Sequence, residues 1–528
     1  MSAQGTLAWP IRRAMSVHHD AEAIVDGATR FTYREWGDRI LGLGAGLRGL
    51  GLADGDVVAL AALNSWRHLT CWSGVPAGGL VLNNLNYRLA PAELVFILND
   101  SEAKALIVDA AHVDLAIALK AQCPTLMHLI FAAEDPAPEG FVHFDDLCAN
   151  DALPASVTAW IGDHSLAAIS YTGGTTGLPK GVMQSHNNLL ANAKHIQYAF
   201  AYMTDDVYIH AAPMFHAADA ANTFALIWVG AKHVIIPGWD VARFIYEVER
   251  EEMTVTLLVP TMINLLVNHR GVEHADFKSW RLLAYGASPM PDELQKRAMS
   301  VLPCGFMQLY GMTEASPLLT FCTAADHRKA AAGVPGYVER LKSAGAPVPG
   351  VECEVRREDG SVCAPGEAGE VYGRGPNIML GYLKRREETA KALVDGWYRT
   401  GDVAYADDHG YLYIVDRAKD MIISGGENIY TTEVENALYA HPGVLEAAVV
   451  GVPHEQWGEA VHAEVVPKPT VVLDSAELIA HCRSLIAGYK VPRSITVRTE
   501  PLPKSGAGKI LKKDLRAPFW EGRERSVN

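Results

Sequence analysis

The 528-residue sequence has no Cys-x-x-Cys pair and no Cys/His cluster at zinc spacing, although it holds eight cysteines. They are scattered from Cys71 to Cys482, which suits buried free thiols rather than a metal ribbon. No run of about 18 apolar residues is present to span a bilayer. The opening "MSAQGTLAWPIRRAMSVHHD" lacks an apolar stretch of signal-peptide length, so a reducing cytoplasm is the expected location. Positive charge is also scarce: the net charge is −15. That speaks against nucleic acid or an anionic membrane as partner, since both need clustered Lys and Arg. A local basic patch for a phosphorylated ligand stays open. There is no low-complexity tract and no repeat of 20–50 residues, the mark of a solenoid.

What is present is an ordinary apolar fraction of 49%, enough for large cores. At roughly 100–200 residues per domain, two to four units are expected. From Phe31 to Val450, helix-like stretches at 3.6 spacing separate short β-branched runs such as "DVVAL", "HVIIPG", "VTLLVP" and "RLLAYGAS". This alternation predicts α/β architecture, with helices covering mostly parallel sheets. After Gly350 the texture changes. "VECEVRREDGSVCAPGEAGEVYGRG" reads as hairpins with Asp-Gly and Pro-Gly turns, an antiparallel β subdomain. A further unit begins near "DRAKD". In it, "TTEVENALYAHPG" carries Thr432 and Glu435 as an expected capping box. "SAELIAHCRSLIAGYK" places Leu478, Ile479, Cys482, Leu485 and Ile486 on one helical face. A small α+β domain of about 110 residues, within the usual domain range, closes the chain.

The stretch "YTGGTTGLPKGVMQSHNN", from Tyr171 to Asn188, lies between a strand-like and a helix-like run. Glycines let backbone N–H groups turn toward an anion, threonine hydroxyls add donors, and Lys180 adds a mobile charge. A plain turn is the alternative. The stretch lacks the Gly-Lys-Ser/Thr ending of a P-loop, so a different phosphate chemistry is implied.

This loop resembles the phosphate loop of the adenylate-forming superfamily, which includes acyl- and aryl-CoA synthetases, luciferases and peptide-synthetase adenylation domains. The resemblance continues through "YGMTE" at Tyr310 to Glu314, "YRTGD" at Tyr398 to Asp402, "DRAKDMIISGGENIY" at Asp416 to Tyr430, and "PKSGAGK" at Pro503 to Lys509. It covers nearly the whole chain, and bacterial fatty-acyl-CoA ligases are most similar. The fold it implies is α/β: a large N-terminal domain of two stacked α/β subdomains plus a β subdomain, with a small mobile α+β C-terminal domain. The expected boundaries are 1–416 for the adenylating domain, 417–420 for the hinge and 421–528 for the mobile domain.

The reaction implied has two halves. A carboxylate attacks the α-phosphate of ATP, giving acyl-AMP and pyrophosphate; a thiol, usually coenzyme A, then displaces AMP. One anion must attack another, so cations and N–H donors must converge. By resemblance, Thr172, Gly173, Gly174, Thr175, Thr176, Gly177 and Lys180 hold the β- and γ-phosphates. Glu314, assisted by Thr172, holds Mg²⁺. Tyr310, with Gly311 and Met312, and the Gly286–Ala287–Ser288 wall enclose adenine. Thr313 meets the α-phosphate. Asp402 accepts the ribose hydroxyls, and Arg417 touches ribose or phosphate. Lys509 is the catalytic lysine that bridges carboxylate and α-phosphate, and Lys419 is the hinge. Gly425, Gly426, Trp457, Lys490 and Arg493 are candidates for coenzyme A, with a solvated surface an equal reading for Lys490 and Arg493.

The block "PMFHAADAANTF" resembles the family's acyl-pocket segment. It places His216 near the carboxylate tunnel, with a satisfied core histidine as the alternative. Some fatty-acyl relatives carry a tryptophan gate four residues later; here that place is Ala220, which puts long-chain specificity in doubt. Asp219 either contacts a polar acyl group or an incoming amine, or is a salt bridge or cap. Trp228 is a further pocket candidate. The overall expectation is an ATP-dependent acid–CoA ligase acting on an apolar acid, fatty or aryl/cyclic. The alternative is an amide ligase passing acyl-AMP to an amine, and a homodimer is left open. A nucleotide-binding regulator on a decayed fold would show damage at Lys509, Glu314 or Asp402, and all three are intact.

Overall fold

The computed structural model describes residues 5–153, 161–172, 179–417, 419–425, 427–505 and 509–521. Two large sheets dominate. One has eight strands, and its centre is parallel: 166–172, 81–84, 57–61, 105–108, 128–131 and 141–143 run side by side. The other has nine strands, with a parallel run from 305–311 through 282–286, 255–258, 207–210 and 232–235 to 22–26. The short apolar runs read as strands in the sequence fall on these: Val57–Ala61, Lys232–Ile235, Val255–Leu258 and Leu282–Gly286.

Helices fill the space between the sheets. Tyr33–Gly49 starts at a Thr32–Glu35 capping box, which satisfies two backbone donors that a helix end otherwise leaves unpaired. Its Tyr33 and Trp36 are fully buried. The Trp36 indole donates to Thr70 Oγ1 at 2.9 Å, so the polar atom of a large buried ring is not left orphaned. Residues of this helix share one apolar core with Val58, Leu60 and Ile107 of the first sheet and Ile24 and Ile235 of the second. That shared core holds the two α/β units together, and such burial is worth about 25 cal/mol per Å².

Two helices in this middle layer matter later: α1, His186–Phe200, and α2, Ala217–Val229. The strands β1, Leu166–Thr172, and β2, Lys180–Ser185, form the antiparallel hairpin that leads into α1. Then come β3, Val207–His210; β4, Leu282–Gly286; and β5, Gly305–Gly311.

A third, five-stranded antiparallel sheet begins at Glu352–Arg356 and includes β6, Trp397–Ala406, and β7, Leu412–Arg417. The next strand, Ile422–Ser424, belongs to a fourth sheet with its own core around Val434, Val449, Val461 and Leu478. The change of sheet therefore falls between Arg417 and Ile422.

Two local expectations need correction. The helix Thr431–Tyr439 begins one residue before Thr432 and has no side-chain cap. Thr432 instead donates to Val415 O, and Glu435 accepts from Val449 N–H at 2.9 Å and pairs with Lys512 at 2.7 Å. Long-range partners have taken both groups from the helix end. On helix Ser475–Leu485, Leu478 and Cys482 are buried, but Leu485 is 53% exposed, so the apolar face ends a turn early.

Candidate active site

The hairpin β1–β2 pairs Thr172 directly with Lys180, so the loop joining them is anchored at both ends by strand bonds. Gly173, Gly174, Thr175, Thr176 and Gly177 lie outside the described residues. The Lys180 ammonium sits 5.2 Å from the Tyr382 ring centroid, within cation–π range. The Tyr382 hydroxyl in turn donates to Glu314 Oε1 at 3.0 Å. Burial raises the Glu314 carboxyl above its ordinary range, against the pull of Tyr382, Arg417 and Lys509.

Gly286 ends β4 and Gly311 ends β5. A Cβ on Gly286 would lie 2.3 Å from Leu309 O, and one on Gly311 would lie 1.8 Å from Pro317 O. Only glycine fits either place, which explains both without appeal to a ligand. Ala287 follows with φ +65°, a left-handed conformation costing a non-glycine residue about 1–2 kcal/mol. Strain of this kind is concentrated at functional sites. Ser288 continues the same turn. Thr313 opens a short 3-10 turn after Met312, and its carbonyl accepts from Gln184 Nε2 at 3.2 Å.

From the third sheet, Asp402 Oδ2 accepts from the Tyr310 hydroxyl at 2.8 Å, and Oδ1 pairs with Arg417 Nε at 3.2 Å. β6 and β7 are adjacent and place Asp402 opposite Arg417 in register. A carboxylate keeps capacity for further donors beyond these two.

Lys509 comes from the C-terminal unit. Its carbonyl accepts from Ser505 N–H at 2.7 Å, and its N–H donates to Ser505 Oγ at 3.2 Å. Burial, and then Arg417, lower its ammonium to about 8, while Asp402 and Glu314 act in the opposite sense. The lysine thus lies within the field of residues expected to face ATP. Lys419 is lowered to about 8 by burial and then Arg417, and its carbonyl accepts from Arg516 at 3.4 Å.

His216 is the N-cap of α2, its Nδ1 accepting from Ala218 N–H at 3.2 Å. Burial, and then Lys509, hold it down at about 3, so it is neutral at physiological pH and within the field of the lysine. Ala220 lines a narrow cavity beside α2.

Three expected contacts turn elsewhere. Asp219 is fully buried on the far side of α2, where Oδ2 meets His210 Nδ1 at 2.7 Å and Oδ1 accepts from Tyr208 at 3.1 Å. This is the salt-bridge reading rather than an acyl contact. Trp228 packs edge-on against Trp9 at 5.9 Å and does not line that cavity. Lys490 is paired with both oxygens of Glu433 at 2.7 and 2.8 Å.

The other thiol-side candidates do come together. Gly425 N–H donates to Trp457 O at 2.9 Å. The Trp457 indole stacks on His454, with centroids 4.2 Å apart, and Arg493 lies 4.6 Å from its ring. Gly426 lies outside the described residues. Sequence reasoning missed His454, Tyr382 and Gln184. His454 was within reach, three residues before Trp457; the other two carry no local signal.

Residues 11–383 match the family described as AMP-binding enzyme, and 433–509 match the AMP-binding enzyme C-terminal domain. The chain belongs to the AMP-binding enzyme family. The relatives of this AMP-binding enzyme include a feruloyl-CoA synthase from Amycolatopsis, 38% identical over 98% of this chain and 100% of the relative. A long-chain-fatty-acid–CoA ligase from Thermus thermophilus is 37% identical over 93% of this chain and 90% of the relative. Among solved structures, the amide bond synthetase McbA from Marinactinospora thermotolerans superposes with a TM-score of 0.86 at 27% identity, covering 97% of this chain and 100% of that one. This AMP-binding enzyme is an AMP-forming acid–thiol ligase of mixed α/β fold.

Proposed function

We propose that this AMP-binding enzyme joins an apolar acid, aryl or fatty, to coenzyme A through an enzyme-bound acyl-AMP. The observation that carries the reading is the Asp402–Arg417 pair, set opposite in register and held by Tyr310, with Lys509 of the C-terminal unit within the field of that pair and of Glu314. An attack of carboxylate on phosphate needs cationic groups fixed before the reaction begins. Lys509 holds the acid oxygen and the α-phosphate oxygen against their mutual repulsion. Asp402 orients ribose, with Tyr310 and Arg417 holding Asp402 in turn. Lys180 and the loop before it take the departing pyrophosphate. Neutral His216 at the N-terminus of α2 flanks the acid without adding charge.

The residues suit Mg²⁺. Among the described residues there is no group of three His, Cys, Asp or Glu able to chelate a metal. A lone enclosed carboxylate fits an ion that keeps waters and takes phosphate oxygens. Glu314, with Thr172, would hold the ion, which would screen phosphate charge.

For the thioester step, rotation of residues 421–528 about Lys419 withdraws Lys509 and presents Gly425, Trp457 and Arg493 to coenzyme A. The Trp457–Arg493 pair favours coenzyme A over an amine as acceptor, because a guanidinium over an indole offers a phosphate a fixed cation. No described helix is long and apolar enough to cross a membrane, which agrees with a cytoplasmic place of work.

The test is an acid panel incubated with ATP and Mg²⁺, with and without coenzyme A or amines, read by pyrophosphate release and product mass. Acid-dependent release with thioester formation is expected. Amide formed without coenzyme A selects the amine reading, and release that ignores the acid refutes both.

A further inference from the structure

Between β3 and α2 the chain runs from Ala211 to His216 without joining a strand or a helix. Such a segment has no ladder to take its backbone polar groups. Yet Ala211 and Ala212 are each 2% exposed and Met214 is fully buried, and buried N–H and C=O groups need partners. Two side chains of the first sheet supply them. Asn64 stands just beyond strand Val57–Ala61, and Asn84 ends the parallel neighbour Val81–Asn84. Asn64 Oδ1 accepts from Met214 N–H at 2.8 Å, and its Nδ2 donates to Ala212 O at 2.9 Å. Asn84 Nδ2 donates to Met214 O at 3.2 Å. Both asparagines are 5% exposed. The N–H and the C=O of Met214 are thus held by side chains 150 and 130 positions away in the sequence.

The direction of each amide is fixed by its partners. A backbone N–H only donates, so Asn64 presents Oδ1 to Met214 and turns its NH₂ to Ala212. His68 sets Asn84. His68 Nδ1 lies 3.2 Å from Leu63 O, a group that only accepts, so Nδ1 carries the proton and Nε2 is left as an acceptor. Nε2 lies 3.0 Å from Asn84 Nδ2. The Asn84 NH₂ therefore directs one hydrogen to Met214 O and the other to His68. Burial holds His68 at about 4, so the neutral ring and its tautomer persist at physiological pH.

His216 follows Met214 by two residues. Its N–H donates to Pro213 O at 2.9 Å, and its ring caps α2, so its place follows from that of the Met214 peptide. Phe215, between them, crosses Tyr87 edge-on at 5.2 Å, a second tie to the segment that follows Asn84. We propose that Asn64 and Asn84 are positioning residues for His216: through the backbone of residues 212–214 they set where its imidazole meets the acid. His68 acts behind Asn84. One sheet carries the histidine and the other fixes it. Asparagine suits the task, since one short side chain offers a donor and an acceptor at a fixed angle. It also brings no charge into a buried place, where an ion would need its own partner. This role rests on the placing of His216 beside the acid in the ligase reading above.

The probe is whichever of benzoate, cinnamate, octanoate and palmitate gives the fastest acid-dependent pyrophosphate exchange with ATP and Mg²⁺. Its kcat/KM is measured in wild type, Asn84→Ala, His216→Ala and the double variant, and again with Asn64→Ala in place of Asn84→Ala. The two asparagines reach the loop separately, so either variant that folds completes a cycle. Each asparagine variant should lower kcat/KM for the acid about ten- to a hundredfold, the scale of an ångström of misplacement. The KM for ATP should stay within about twofold of wild type, as expected for a site that shares no partners with the loop. In the His216→Ala background the same substitution should cost less than about threefold, because the group being positioned is gone. A smaller folded fraction lowers both backgrounds alike and cannot imitate this coupling. Equal costs in the two backgrounds, no cost in either, or a KM for ATP that rises with that for the acid overturns the positioning role and leaves the ligase reading standing. His216→Ala at wild-type rate would remove His216 from the acid site, and the positioning role with it. If no acid of any class yields acyl-AMP, the ligase reading itself falls.

Discussion

Replacing Lys509 by alanine takes away a cation that the C-terminal unit brings into the field of Glu314, Asp402 and Arg417. Two unit charges 4 Å apart at an effective dielectric of about 20 interact by about 4 kcal/mol. Removing a single preorganised donor to a developing oxyanion costs about 2.7–4 kcal/mol. Adenylation should therefore fall by about a hundred- to a thousandfold. The assay is acid-dependent exchange of labelled pyrophosphate into ATP, run beside thioester formation from synthetic acyl-AMP. Exchange should collapse while the thioester step keeps most of its rate. The pH profile adds a second constraint. Lys509 is lowered to about 8 from 10.5, so it is mostly protonated at pH 7 and half protonated near pH 8. Adenylation in the free enzyme should decline above pH 8, and Lys509→Arg, charged throughout, should flatten that decline. Stability moves the other way. Between pH 8 and 10.5 the unfolded chain binds more protons at this group than the folded one, so its contribution to stability rises with pH. Alkaline unfolding would instead lower rate and stability together. Exchange at wild-type rate in Lys509→Ala would refute the assignment.

Trp457→Ala removes the stack on His454 and the contact with Arg493. The KM for coenzyme A should rise about three- to thirtyfold, from about 0.5–2 kcal/mol of cation–π and stacking energy, with pyrophosphate exchange unchanged. Asp219→Asn leaves the fully buried His210 without its carboxylate and should cost about 3–5 kcal/mol in a denaturant melt. Acid selectivity should hold, and a changed acid preference at unchanged stability would return Asp219 to the pocket. Gly311→Ala forces a Cβ against Pro317 O and displaces the turn that carries Met312, Thr313 and Glu314. Exchange should drop about a hundredfold, the cost of roughly 1 Å of misplacement, and wild-type exchange would show that the turn yields.

Local pattern revealed elements whose cause is local. Val57–Ala61 and Val255–Leu258 are β-branched runs with buried neighbours, and they are strands in the sequence and in the fold. Gly286 and Gly311 are read as parts of the adenine site by resemblance, and the structure adds a second reason for them, a backbone that approaches too closely for any other residue. What the sequence hid is pairing across distance. Glu433 pairs with Lys490 from 57 positions away, and Lys512 takes Glu435, so the expected capping box does not form. Tyr382 braces Glu314 from 68 positions away.

The Asp402–Arg417 pair belongs to neighbouring strands of one sheet, whereas Lys509 follows a sheet that starts only at Ile422. The two halves of this charged cluster are therefore carried by parts of the chain that can change independently. An insertion within the fourth sheet leaves the pair in register and alters only whether Lys509 still reaches it.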